Sequence, residues 1–193
     1  MSEIGKHIGA IISKKLAPFL RDAGFKRKGR TFHRMHDDRI DVVNVQGSKW
    51  NSADTGEITI NLGVYYPEVA KLYDPWAPNG LPQEYHCTAR ERLGVLMTGG
   101  KDRWWKVNPR TDDEALSNEL VAAMADYGLI WLEKMGDLDS LKGILPAFIS
   151  AAIALSQGRK EEAKMFLLAS YKEAPCAADD ARKWGIKHGL EEA

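Results

Sequence analysis

The side chains best suited to bind something lie where the chain has a two-residue period. Asn44, Gln46 and Ser48 take alternate positions in a β-branched run and so project from one face of a strand. Thr59 and Asn61 alternate with an apolar row in the next run, and Arg90 and Arg92 share a face of a third. Brought together, these faces make a concave patch of amides and guanidinium groups, edged by Trp50 and Trp104 and with Lys49 beside Trp50. Arginine forks hold carboxylate or phosphate bidentately, and tryptophan supplies rigid contact area. Such a patch suits a peptide, a nucleotide or a protein edge. The competing reading is internal: Gln46 and Asn61 satisfy backbone groups, Arg90 or Arg92 pairs with an acid, and the tryptophans are core.

Other chemistries find little support. His33 and His36 point to opposite faces of a strand and share a metal only if a turn starts near Met35, so both read as exposed hairpin residues. His86 and Cys87 are adjacent in sequence, with no third partner converging on them. Between Gly94 and Lys101 a phosphate loop fails at both ends, with Val95 where glycine is needed and Asp102 where serine or threonine is needed. Asp112, Asp113 and Glu114 fall in the first turn of a helix, where the macrodipole accounts for them, and Asp139, Asp179 and Asp180 read the same way. Lys26, Arg27, Lys28 and Arg30 crowd one hairpin with Phe25 and Phe32 between them, but the phenylalanines belong to the core and no basic surface is sustained. No catalytic residue, metal or cofactor is expected.

The elements that must position the patch follow from periodicity. Ile4, Ile8, Ile11, Ile12, Leu16, Phe19 and Leu20 recur at helical spacing, and Gly24 follows as a left-handed cap. Residues 25–28 and 31–36 flank Gly29 as a tight hairpin, residues 40–46 form a β-branched strand, and residues 57–65 alternate strictly, with one face buried and the other polar. Strands this close in sequence imply an antiparallel meander. Residues 66–86 carry Pro67, Pro75, Pro78, Pro82 and Gly80 and cannot hold regular structure for long; such a loop in a compact domain is often functional. Residues 88–97 and 103–107 offer further strands. From Thr111 the chain reads as helical, with a Thr111–Glu114 capping box and a buried stripe of Leu116, Leu120, Met124, Tyr127 and Trp131. Residues 144–157, 159–173 and 178–188 predict three more helices.

The ordered strings Gly24 to Phe32, Val43 to Gln46 leading to Ser48 to Asn51, Ile60 to Val64, Arg90 to Gly94 and Asp102 to Trp105 resemble the bacterial family known as domain of unknown function 4304, over roughly residues 5–135. The resemblance implies a helix-flanked sheet domain with no assigned activity. Relatives in toxin–immunity neighbourhoods make protein binding an expectation by analogy. Residues 151–175 resemble a tetratricopeptide hairpin, with small residues at Ala152, Ala163 and Ala169, a turn at Gly158 and an end at Pro175. One hairpin is expected to cap the sheet domain; the alternative is a docking groove for a partner helix.

Composition sets the outer limits. The chain has 193 residues, 44% hydrophobic and 28% charged, with 27 basic and 27 acidic side chains, which excludes disorder, collagen, a disulfide scaffold and a generally basic nucleic-acid binder. The charge is uneven: residues 1–50 hold 11 basic against 5 acidic side chains, and residues 111–193 hold 9 against 15. Either the two parts neutralise each other when packed, or the first offers a basic face to an acidic or phosphate-bearing partner. Cys87 and Cys176 have no metal-site spacing and suit a reducing cytosol. The apolar runs at 8–12 and 144–155 fall well short of the ~20 residues that span a bilayer, so a cytoplasmic protein without a membrane partner is expected.

The reading is α+β: an antiparallel meander of about five or six strands packed against an N-terminal helix and a C-terminal helical region. Residues 1–135 form the helix-plus-sheet domain and residues 136–193 a helical extension. The expected function is non-enzymatic binding, immunity-like or adaptor-like, of a protein partner through Gln46, Lys49, Trp50, Asn61, Arg90, Arg92 and Trp104. The alternative is an enzyme acting on a phosphorylated or carboxylated small molecule at the same face, with His86 or His33 moving the proton; a nucleic-acid partner is not expected.

Overall fold

β-Branched and aromatic residues draw successive segments into one antiparallel sheet. Lys26–Lys28 (β1), Thr31–Met35 (β2), Ile40–Gly47 (β3), Gly56–Tyr65 (β4) and Ala89–Arg92 (β5) pair in chain order, and Trp105–Val107 (β6) joins the start of β4. β5 and β6 therefore share the edge of β4 that β3 leaves free. The computed structural model describes residues 3–74 and 77–192, so Pro75 of the proline-rich loop lies outside the described residues.

Glu3–Ile11, Ile12–Leu16 and Ala17–Asp22 run on as one helix, α1, with a π-turn in its middle. Its buried Ile4, Ile8, Ile11, Ile12, Leu16 and Leu20 pack with Phe32, Val43, Val45, Ile58, Ile60 and Leu62 of the sheet. Gly24, at φ +90°, closes the helix, and the Phe25 N–H donates to Leu20 O at 2.9 Å. The remaining helices are Pro67–Tyr73 (α2), Leu93–Thr98 (α3), the continuous run Asp113–Ala123, Met124–Gly128 and Leu129–Lys134 (α4), Leu138–Leu141 (α5), Ala147–Ser156 (α6), Lys160–Glu173 (α7) and Ala178–Lys187 (α8). The fold is α+β, with the N-terminal helix and the sheet predicted from periodicity.

Several local expectations need correction. The proline-rich stretch opens with a helix, because Pro67 sits at the first helical position, where its missing N–H costs nothing. The strand expected over 88–97 ends at Arg92 and turns into α3, whose Gly94 is crossed by the chain at Arg103: an added Cβ would lie 2.3 Å from Arg103 O. The cap of α4 is Asp112, whose Oδ1 accepts the Glu114 and Ala115 N–H groups at 3.0 and 3.1 Å, while Thr111 Oγ1 accepts the Asn108 N–H. The stripe on α4 shifts as well. The π-turn at Met124–Gly128 inserts a residue, so the buried row continues through Gly128 and Leu132 and leaves Tyr127 exposed and Trp131 half-buried.

β4 is buried on both faces, not one. Residues 82–88 roof its second face: His33 Nε2 donates to Pro82 O at 2.8 Å, and Cys87 lies so close over Gly63 that a Cβ there would be 2.5 Å from its Sγ. Ile40, Val42, Tyr65, Ala70 and Cys87 form a small second apolar cluster under that roof. On the helix-facing side, Asp41 is fully buried and meets Arg34 Nε at 2.9 Å, His36 Nε2 at 2.8 Å and Arg39 Nε at 3.4 Å. Arg34 also reaches Glu133, and Arg39 donates to Gly136 O, so this carboxylate ties the sheet to the end of α4. Among the described residues no helix is long and apolar enough to cross a membrane.

Replacing Asp41 with alanine leaves two arginines facing an apolar void, and the loss expected in urea denaturation is about 3 kcal/mol; a loss under about 1 kcal/mol would show the cluster to be peripheral. The thiols give an independent check. Burial pushes the Cys87 thiol well above its usual range, while Cys176 is exposed and free. A thiol-reactive dye should label Cys176 within minutes and Cys87 only after denaturant is added; rapid native labelling of Cys87 would mean that the roof opens.

Candidate functional site

Strand register brings the polar residues of the second sheet face into line. Lys28, Thr31, Asn44, Asn61 and Arg92 stand opposite one another in a single row across five strands. At about 4.8 Å per strand the row is about 19 Å long. The neighbouring row runs Lys26, His33, Val42, Gly63 and Arg90, and Gln46 pairs with Thr59 on the other flank. The floor is organised by its own hydrogen bonds. Asn44 Nδ2 donates to Thr31 Oγ1 at 2.9 Å, the Thr31 hydroxyl donates to Gln83 Oε1 of the roof at 3.4 Å, and Asn61 Nδ2 donates to Gln46 Oε1 at 2.8 Å.

At the β4–β5 end the row opens into a cleft of about 300 Å³ lined by Gln46, Asn61, Glu84, Arg90, Glu91 and Arg92 with Leu62. Arg92 pairs with Asp102 and lies 5.4 Å from the centroid of the Trp104 ring, and Trp104 Nε1 donates to Asp102 Oδ2 at 2.9 Å. Arg90 is exposed and has no ion pair or side-chain hydrogen bond among the described residues. Four of the seven expected residues (Gln46, Asn61, Arg90 and Arg92) thus share one cleft, with Trp104 buttressing Arg92 at its rim.

Lys49 and Trp50 do not reach it. β3 ends at Gly47, and the following turn is held by Asn51, which accepts the Glu57 N–H and donates to Glu57 O. Lys49 Nζ sits 4.9 Å from the centroid of the Trp50 ring, and Trp50, 81% exposed, borders a separate hollow with Ser48, Asn51, Glu57 and Lys106. The internal reading holds for the Arg92–Asp102 pair; Asn61 and Gln46 bond each other rather than backbone groups. The core tryptophan is Trp105, whose Nε1 donates to Glu119 at 2.9 Å.

Three histidines are tied into the fold by hydrogen bonds. His33 is 2% exposed, not an exposed hairpin residue, because the Pro82 carbonyl accepts from its Nε2 and the roof covers it. His36 is half-buried on Asp41, on the opposite side of the sheet. His86 Nδ1 accepts the Gln83 N–H at 2.9 Å, and Cys87 Sγ leans on Gln83 O, so this adjacent pair folds the loop. Among the described residues no group of three His, Cys, Asp or Glu side chains could hold a metal ion. Sequence reasoning missed Lys28, Thr31, Gln83 and Glu84. The first two were recoverable from the Gly29 hairpin, which fixes Thr31 across from Lys28. Gln83 and Glu84 come from an irregular loop with no period to read.

No curated protein and no solved structure matches this chain. A family model described as Domain of unknown function (DUF4304) matches residues 16–134, well over half of the chain. That span runs from the π-turn of α1, through every strand of the sheet and the polar row, to the last residue of α4, and the chain belongs to this family.

Proposed function

We propose that the chain is a bacterial, cytoplasmic binding module, adaptor-like or immunity-like, whose polar sheet face holds a protein partner without a chemical step. The observation that carries this reading is Arg90: an exposed guanidinium without an internal counter-ion, standing over an amide floor that is already ordered. A pre-ordered floor loses little entropy when a partner lands, and a free arginine fork donates bidentately to a carboxylate. Asn61 Oδ1 and Gln46 Nε2, unpartnered among the described residues, remain to accept from and donate to a partner's backbone. Trp104, stacked on Arg92, supplies a rigid rim. The α6–α7 hairpin is read as a tetratricopeptide-like cap, with Ala152 and Ala163 buried and Gly158 turning at φ +74°.

Affinity capture of the tagged chain from its native lysate tests the reading. Wild type should retain a stoichiometric protein, and the Arg90→Ala/Trp104→Ala variant should lose it while its Tm stays within a few degrees of wild type, as suits an exposed and a half-buried residue outside the apolar core. Retention by the variant, collapse of its Tm, or empty wild-type eluates at both low and high salt would overturn it.

A further inference from the structure

β1 lies at the edge of the sheet and pairs with β2 alone, so its outer backbone edge carries no strand. Its residues Lys26, Arg27 and Lys28 are all exposed, and exposed Arg21 and Arg30 flank them. None of these five cations forms an ion pair among the described residues, and Asp22 is the one acid in residues 21–30. Arg27 is held rather than loose. Its Nε donates to Gly29 O at 2.8 Å, its Nη1 donates to Ser13 Oγ at 3.2 Å, and its guanidinium lies 5.6 Å from the Phe32 ring centroid.

Lysines on an edge strand ordinarily keep it from pairing with another edge. That protection works against like charge, including the β1 edge of a second copy; toward an acidic strand the same charges attract. Alternation divides them: Lys26 and Lys28 stand about 6.8 Å apart on the face of the polar row, and Arg27 lies on the other face.

We infer that the β1 edge docks an extended acidic segment of a protein partner as an added strand, with carboxylates at alternate positions meeting Lys26 and Lys28. The inference rests on the binding-module reading and names the partner's chemistry, since Lys28 begins the row that ends at Arg92. Main-chain hydrogen bonds to the open edge supply registry, and the cation pattern supplies selection. Nucleic acid fits less well, because the aromatics beside the cations, Phe25 and Phe32, are 3% and 1% exposed and offer bases no platform.

The test uses a fluorescein-labelled peptide of alternating glutamate and threonine, its glutamine counterpart, and an oligothymidylate of equal charge, followed by anisotropy on the full chain. The glutamate peptide should bind at low salt and weaken as salt rises, the glutamine peptide should not bind, and the Lys26→Glu/Lys28→Glu variant should bind the glutamate peptide about tenfold more weakly or worse. Lys26→Gln/Lys28→Gln, which removes charge without reversing it, should fall between. Equal binding by wild type and the Glu variant, no binding by wild type, or tighter binding of the oligothymidylate would overturn the inference. The Arg90→Ala/Trp104→Ala variant separates the two readings. Peptide binding kept there while the captured partner is lost upholds both; peptide binding kept with the partner also kept upholds the edge and overturns the cleft.

Discussion

Everything in this molecule is built around a strand that must be buried on two chemically different faces. β4 pairs from Ile58 to Tyr65 with β3 and gives its other edge to β5 and β6 in turn. Ile58, Ile60, Leu62 and Val64 take the helix side, where α1 and α4 close over them. Glu57, Thr59, Asn61 and Gly63 take the other, which is polar and still largely covered. Covering polar atoms requires partners for them, and the roof loop supplies some through Pro82 and Gln83. It does not supply all: Thr59 Oγ1 and His33 Nδ1 are buried without a partner among the described residues. Each such atom costs on the order of 1–3 kcal/mol. The fold tolerates that cost on the face where the cleft lies, and its helix-packed face is apolar apart from the Asp41 cluster at one end.

The polar row is a consequence of the apolar core. A one-residue slip of any strand would send Val43, Val45, Ile60 or Leu62 to the wrong face, so burial on the helix side fixes register tightly. With register fixed, Thr31, Asn44 and Asn61 have no choice but to line up on the opposite side. Gly63 belongs to the same constraint, since no side chain fits beneath Cys87, and the roof can settle low enough to bond His33 only because nothing projects there.

What the sequence made legible were elements with a dense apolar period, α1 included, where adjacent buried Ile11 and Ile12 carry the stripe across its π-turn. The α1 stripe, the strict alternation in β4, the Gly29 hairpin and the helices near 147–156, 160–173 and 178–187 all lie where periodicity places them. Period counting failed where the α4 backbone changes pitch. The π-turn at Met124–Gly128 moved the buried row off Tyr127 and Trp131 and onto Gly128 and Leu132. It failed again at the site's margins. Lys49 and Trp50 look adjacent to Gln46 in sequence, yet Asn51 bends the turn away, and the roof residues Gln83 and Glu84 carry no periodic signal at all.

The uneven charge of the chain is resolved in space, but selectively. Acids at the start of α4 meet α1, with Asp113 2.7 Å from His7 and Glu114 3.3 Å from Lys15, and Glu133 at its end meets Arg34 and Arg39. Acids further along serve their own helices. Lys142, and after it Arg159, hold the Asp139 carboxyl down at about 2, and both also engage Glu162. Neutralisation between the two parts of the chain therefore accounts for Lys15 of α1 and for Arg34 and Arg39 beside Asp41. None of those acids pairs with β1, the edge strand, whose Lys26, Arg27 and Lys28 are all exposed. The surplus positive charge ends up where the sheet is open, and an open edge is the one place in a folded sheet where another chain can reach both backbone and charge at once.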